Sequence, residues 1–232
     1  MPRPLRITHP DVVYHVLNRA NERAQIFHSA AEYRLFRLLL REACRKFPVR
    51  VLAYCLMPNH WHLVLWPVAA GGVSSFMHWL TTTHVAIYRR HHGSIGDGHV
   101  YQGRFKCFPV QSSADYLKVM HYVEQNALRG GLVDRAERWR WSSVNERCRL
   151  SRGFLADGPI ALPANWIELV NEPLAGEELA RLRESAERGT PFGAETWKRR
   201  AAIDHGLEQT LRGRGRPRRT ITPVDGKKVE IA

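Results

Sequence analysis

The chain has 232 residues, of which 44% are hydrophobic, and 35 Lys plus Arg against 22 Asp plus Glu give it a formal net charge of +13. That is enough apolar residue for one larger domain, or for one domain with a substantial extension, and the absence of any run of 18 apolar residues predicts no membrane-spanning helix. The positive excess points to a polyanion, with nucleic acid as the leading partner, because neutralising phosphates releases condensed counterions.

The opening MPRPLRITHP has no apolar stretch of the kind a secretory leader needs. Four cysteines (Cys44, Cys55, Cys107 and Cys148) show no CxxC or repeated spacing and read as reduced thiols. Both features suggest a cytoplasmic protein, and the basic charge a nucleoid-associated one.

In chain order, VVYHVLN (12–18) is a β-branched and aromatic run that predicts a strand. AAEYRLFRLLLREACRKF (30–47) sets Phe36, Leu39, Leu40 and Ala43 at helical spacing, and Pro48 ends it. VRVLAYCLM (49–57) and HWHLVLWP (60–67) read as two strands joined by a tight Pro58-Asn59 reversal, hence as paired neighbours. After Gly71-Gly72 comes a second amphipathic helix, VSSFMHWLTTTHVAIYRRHH. The Gly-rich GSIGDGHVYQGR (93–104) leads to a fourth strand, FKCFPVQ. Ser113 is the expected N-cap of a third helix, which stops at Gly130-Gly131.

The order β-α-β-β-α-β-α predicts an α+β fold: a ferredoxin-like split βαβ antiparallel sheet with helices on one face, plus one more helix. Beyond residue 150 the character changes. LADGPIALPANW (155–166) is loop-like, EPLAGEELARLRESAERG (172–189) reads as a charged helix, and the end is rich in arginine. We therefore divide the chain into a domain over 1–150 and a mostly helical, basic extension over 151–232. Its RGRGRPRR segment (212–219) has too much Gly and Pro for a helix and is expected to be mobile.

Two histidines head the third strand. Residues i and i+2 of a strand share a face, roughly 7 Å apart between Cα atoms, so His60 and His62 project together and Trp61 goes to the other side. A lone H-x-H is more often two satisfied polar residues at a strand entry than a metal site. On the third helix, Tyr116, Val119, Met120, Val123 and Ala127 form one stripe, which makes Tyr116 a core residue. Tyr122 and Asn126 are four apart and stack on a flank roughly 80–120° away from the stripe's centre. His60, His62 and the Asn126 carbonyl oxygen can together coordinate a divalent ion beside the Tyr122 phenol.

These residues match a family. The chain resembles the REP-associated tyrosine transposases, relatives of the single-tyrosine transposases in the HUH endonuclease superfamily. The likeness is carried by YHVLNRANERAQIF (14–27), MPNHWHLVLWP (57–67), YQGRFK (101–106), YVEQNALRGGLV (122–133), WRWSS (139–143), PFGAETW (191–197) and GRGRPRR (213–219). It covers nearly the whole chain. The resemblance implies that His60 and His62 are the metal-binding HUH pair, Tyr122 the nucleophile and Asn126 a further metal ligand, with Mg²⁺ or Mn²⁺ as cofactor. It implies cleavage and rejoining of single-stranded DNA through a 5′-phosphotyrosine, at hairpins of repetitive extragenic palindromes, by a monomer or a homodimer. Where the family commonly has Asn-Pro, this chain has Asn126-Ala127, and alanine favours an uninterrupted helix.

Arg104 and Lys106, read as alternating on the fourth strand, and Arg19 and Arg23, beside the first, are candidates for DNA contacts. So are Arg214 and Arg216, whose RGRP setting looks like a minor-groove-binding hook. His84, His91, His92, His99 and His121 have no spacing that connects them to this site and read as structural or surface residues. Two other readings stay open: a non-catalytic, sequence-specific nucleic-acid-binding module, and a metal-dependent phosphodiesterase in which water attacks. A covalent protein–DNA adduct separates the first reading from both.

Overall fold

HWHLVLWP carries apolar side chains on both faces, and such a strand needs a neighbour on each edge and cover on each side. In the computed structural model, which describes residues 6–112, 114–149 and 153–212, that is its situation. Strand β3 (His60–Pro67) pairs antiparallel with β1 (Val13–Arg19) on one edge and with β2 (Val49–Met57) on the other. β1 also pairs antiparallel with β4 (Lys106–Val110), so the sheet order is β2-β3-β1-β4. With helix α1 (Ala30–Lys46) between β1 and β2, and α2 (Gly72–His91) between β3 and β4, this is the expected ferredoxin-like split βαβ arrangement.

α1 starts at a capping box, in which Ser29 and Glu32 satisfy each other's amides, and ends just before Pro48. Its buried stripe of Phe36, Leu40 and Ala43 joins Phe76, Met77 and Leu80 of α2 against Trp61, Leu63 and Leu65 of β3. That is the first core.

The expectation of helices on one face holds for α1 and α2 only. Helix α3 (Ala114–Glu124) lies on the opposite face, where Tyr116, Val119, Met120 and Val123 meet Leu52, Val64, Phe108 and Val110 in a second core. The reason is hydrophobic: β2 and β3 bury apolar groups on both sides, and each exposed Å² would cost about 25 cal/mol. After a one-residue break at Gln125, the short α4 (Asn126–Arg129) continues the same path, with Gln125 N–H to His121 O and Arg129 N–H to Gln125 O both at 2.9 Å. Gly131, at φ +68°, ends it.

The later residues build on this second core. Helices α5 (Ser143–Arg147), α6 (Trp166–Asn171), α7 (Gly176–Arg188) and α8 (Glu195–Asp204) follow, and Trp166, Val170, Leu182, Ala186 and Phe192 pack into it. Phe192 bridges the edge of β4 through two backbone bonds, to Pro109 O at 3.0 Å and from Gln111 N–H at 2.9 Å. Glu124 is fully buried, yet it accepts hydrogen bonds from Ser143 Oγ (2.5 Å), Arg147 Nε (2.8 Å) and Trp166 Nε1 (2.6 Å). That many donors are what a buried carboxylate needs to remain tolerable. They tie α3 to α5 and α6. The proposed Ser113 cap and the Arg-rich tail, including Arg214 and Arg216, lie outside the described residues.

Candidate active site

The sheet register gathers the site. Arg19 of β1 stands opposite His60, and Leu17 stands opposite both His62 on β3 and Lys106 on β4. Directly opposed residues share a face, so Arg19, His60, His62 and Lys106 all project from one end of the second-core side. α3 crosses that side, and Tyr122 near its C-terminal end sets its ring edge-on to His62 and His15, with 5.8 Å between centroids in each case.

The His60 and His62 imidazoles lie at 81° to each other with centroids 5.2 Å apart. Each has its Nδ1 engaged: His60 with Asn59 Oδ1 at 2.6 Å, His62 with His15 Nε2 at 2.8 Å. Nε2 is thus the nitrogen each ring has to offer. Burial, then the charges of Arg19 and Arg129, lowers the His60 pKa to about 4. His62 is held well below the usual range by burial first, then by His15, His60, Arg129 and Arg19. Both rings are therefore neutral at physiological pH, as ligands must be. A neutral imidazole whose second nitrogen is fixed by a neighbour is the arrangement seen in metal-ligating histidines, so these residues fit a divalent ion.

His60, His62, Tyr122 and Asn126 line one cavity of about 580 Å³, together with Arg19, Arg104, Lys106, Arg129, Arg183 and Glu187. Five cationic side chains against one carboxylate give the cavity a positive lining that suits a polyanion. The loop before β4 is clamped to the end of β1 by Asn18 Nδ2–H to Gly103 O (3.2 Å) and Gln102 N–H to Arg19 O (3.0 Å). That clamp brings Arg104 to the rim. Arg104 is not on the strand as expected, because β4 begins only at Lys106. Arg23 does not line the cavity; it is exposed at the end of a short 3₁₀ turn with φ +61°.

The sequence reading missed Arg183 and Glu187 of the cavity lining, which belong to a helix that reads as merely charged, and two residues that act on the site's central side chains. Arg129 lies over the Tyr122 ring and donates to Asn126 Oδ1 at 2.5 Å, while Asn126 Nδ2–H reaches Tyr122 O at 3.2 Å. Its signal was its spacing, three after Asn126 and seven after Tyr122 on one helical path. His15 is fully buried and stacks on His62 at 5.0 Å. Its signal was a titratable residue in the middle of an apolar strand.

Residues 8–126 match the family described as Transposase IS200 like. A REP-associated tyrosine transposase of Escherichia coli (strain K12) is 22% identical over 166 residues, spanning 72% of this chain and 90% of that protein. A solved structure of a REP-associated tyrosine transposase bound to a REP hairpin shares the fold, with a TM-score of 0.50 and 18% identity over 68% of this chain and 92% of that one.

Proposed function

The chain belongs to the IS200-like transposases, a family of DNA-cleaving enzymes, and we propose that it cuts and rejoins single-stranded DNA through a covalent 5′-phosphotyrosine on Tyr122. The observation that carries this reading is the convergence of Tyr122, His60, His62 and Asn126 in a single cationic cavity.

In this mechanism, Arg19, Arg104 and Lys106 hold phosphates of the strand, as charge-assisted donors do. Arg129 fixes the plane of the Tyr122 ring and the orientation of the Asn126 amide. The phenol oxygen attacks the scissile phosphorus as its proton leaves to solvent. The P–O3′ bond breaks, a new P–O bond to Tyr122 forms, and the departing 3′-oxygen takes up a proton. His60 and His62, through Nε2, and Asn126, through its carbonyl oxygen, would hold the Mg²⁺ or Mn²⁺ ion. When bound, that ion would neutralise charge on the phosphate and help align in-line displacement. Because the phosphoester is conserved in the adduct, a second DNA 3′-OH can reverse the step without ATP.

The likeness to a protein bound to a REP hairpin supports hairpins of repetitive extragenic palindromes, with a short flanking single strand, as the DNA partner. Arg23, and Arg214 and Arg216 of the tail, would contact DNA outside the cavity. Among the described residues no helix is long and apolar enough to cross a membrane.

The test is a denaturing gel of a labelled hairpin with a single-stranded flank, incubated with the protein and Mn²⁺. The proposal expects a slow-migrating species that survives denaturation and is removed by protease. Shortened DNA with no such species would favour attack by water, and intact DNA that is merely retarded in a native gel would favour a binding module.

A further inference from the structure

Away from the cavity, the start of α1 and the end of α2 bring a second group of ligating side chains together. Glu32 is the third residue of α1, and its Oε2 is occupied by the capping box, accepting from the Ser29 amide at 3.2 Å and also from the His28 amide. Its other oxygen, Oε1, faces two imidazoles: His92 Nε2 at 2.7 Å and His91 Nε2 at 3.9 Å. A capping box needs only backbone amides, so it gives no reason for two histidines at the end of another helix. The donor atoms of Glu32, His91 and His92 all lie within 4.8 Å of one another. None of the three lines the cavity around Tyr122.

We infer that Glu32, His91 and His92 form a binding site for one Zn²⁺-class divalent ion, separate from the His60–His62 pair. Two imidazoles and a carboxylate are a donor set zinc uses, with bonds of about 2.0–2.2 Å, which set tetrahedral ligand atoms roughly 3.3 Å apart. The present separations bracket that value, so closing on an ion needs only side-chain adjustment. Part of the outer shell is already built. The capping box fixes the Glu32 carboxylate through its second oxygen, and Tyr88 packs on the His92 ring with centroids 4.3 Å apart. Burial alone would push the Glu32 carboxyl up, but the His28 amide, the His92 ring and the Ser29 amide outweigh it and hold it below the usual range. It is thus ionised at neutral pH.

The ion would brace a particular joint. The segment before α1 runs from the end of β1, and its Ile26 and Phe27 amides both donate to Pro58 O, two residues before His60. Anchoring Glu32 to the end of α2 would stiffen that segment from outside the catalytic face.

The experiment is a Co²⁺ titration of the full chain, followed by the ion's visible absorption as a stand-in for Zn²⁺, with thermal melts in Zn²⁺ alongside. It compares the unaltered protein with His91→Ala, His92→Ala, Glu32→Gln and the double variant His60→Ala/His62→Ala. We expect one equivalent that persists in the double variant. It should be weakened by His91→Ala, His92→Ala and Glu32→Gln, each by more than the roughly 10-fold cost of losing an outer-shell partner. Zn²⁺ should raise the Tm of the His60→Ala/His62→Ala protein and not that of the same protein also carrying His91→Ala, whose exposed side chain makes misfolding a poor explanation. A signal lost in the double variant but unchanged by His91→Ala would overturn the inference, as would one lost in His92→Ala alone, which a plain Glu32–His92 hydrogen bond explains. Neither result bears on the Tyr122 adduct, which is read on DNA.

Discussion

The Arg129 guanidinium carbon sits 4.2 Å from the centroid of the Tyr122 ring, over its face. The same side chain donates to Asn126 Oδ1 at 2.5 Å and to Tyr122 O at 3.4 Å. One planar cation therefore sets both the attitude of the proposed nucleophile's ring and the direction of the amide that would face the metal. Lysine carries the charge but not the flat fork. Arg129→Lys should slow adduct formation by about 10²-fold, as expected when reacting groups drift by about 1 Å, with a much smaller loss of hairpin affinity. Single-turnover adduct kinetics beside a binding titration will show the split.

His15 acts one layer further in. Its Nε2 is the partner of His62 Nδ1, while its own Nδ1 is buried with no hydrogen-bond partner among the described residues. If His62 presents Nε2 outward, it donates from Nδ1, His15 accepts, and the proton of His15 is left on that orphaned nitrogen. His15→Phe removes one orphan and creates another at His62, so folding stability should change little. Mn²⁺ affinity, read by electron paramagnetic resonance, should fall by roughly 10–100-fold. An unchanged affinity would mean that His15 is packing only.

Acid should weaken the fold through a histidine far from this chemistry. His84 is 2% exposed and bonds the Tyr101 hydroxyl at 2.8 Å, and burial lowers its pKa from 6.5 to about 4. Its folded pKa lies below its unfolded one, so the unfolded state binds the proton more tightly. The stabilisation is complete above pH 6.5 and is lost as pH falls through about 4. On the order of 3 kcal/mol is involved. Urea midpoints from pH 7.5 to 4 should fall less steeply for His84→Phe than for the unaltered protein.

Trp61 faces away from the histidines that flank it. It is fully buried, packs near Phe36 and donates Nε1–H to the Tyr101 hydroxyl at 3.1 Å. Trp61→Ala should cost about 3–5 kcal/mol, visible as a lower urea midpoint. Metal affinity at His60 and His62 should survive wherever the variant remains folded.

Much of this was legible in the residues. The strand alternation placed His60 and His62 on one face, and the helical stripe of Tyr116, Val119 and Val123 put Tyr122 on its flank. The flank is not outside the core, since Tyr122 is buried with that stripe in the second core and only its ring edge meets His62 and His15. His15 was not legible, because a histidine inside VYHVLNR acquires meaning only when the register lays it beside Val64 and next to His62. Arg104 was placed on a strand because RFKCF alternates, whereas the Asn18–Gly103 bond holds that segment as a loop. The cover on the second face was missed for a similar reason. Leu182 and Ala186 belong to a helix that reads as charged, and only tertiary packing shows which side of it is buried.

The most direct measurement is peptide mapping of the protein after reaction with a short single-stranded DNA and Mn²⁺. The account predicts one peptide carrying a 5′-nucleotide on Tyr122, absent from Tyr122→Phe and from the His60→Ala/His62→Ala protein, with a free 3′-OH on the released fragment. Cleavage at an undiminished rate by Tyr122→Phe, or a nucleotide attached to any other residue, would contradict it.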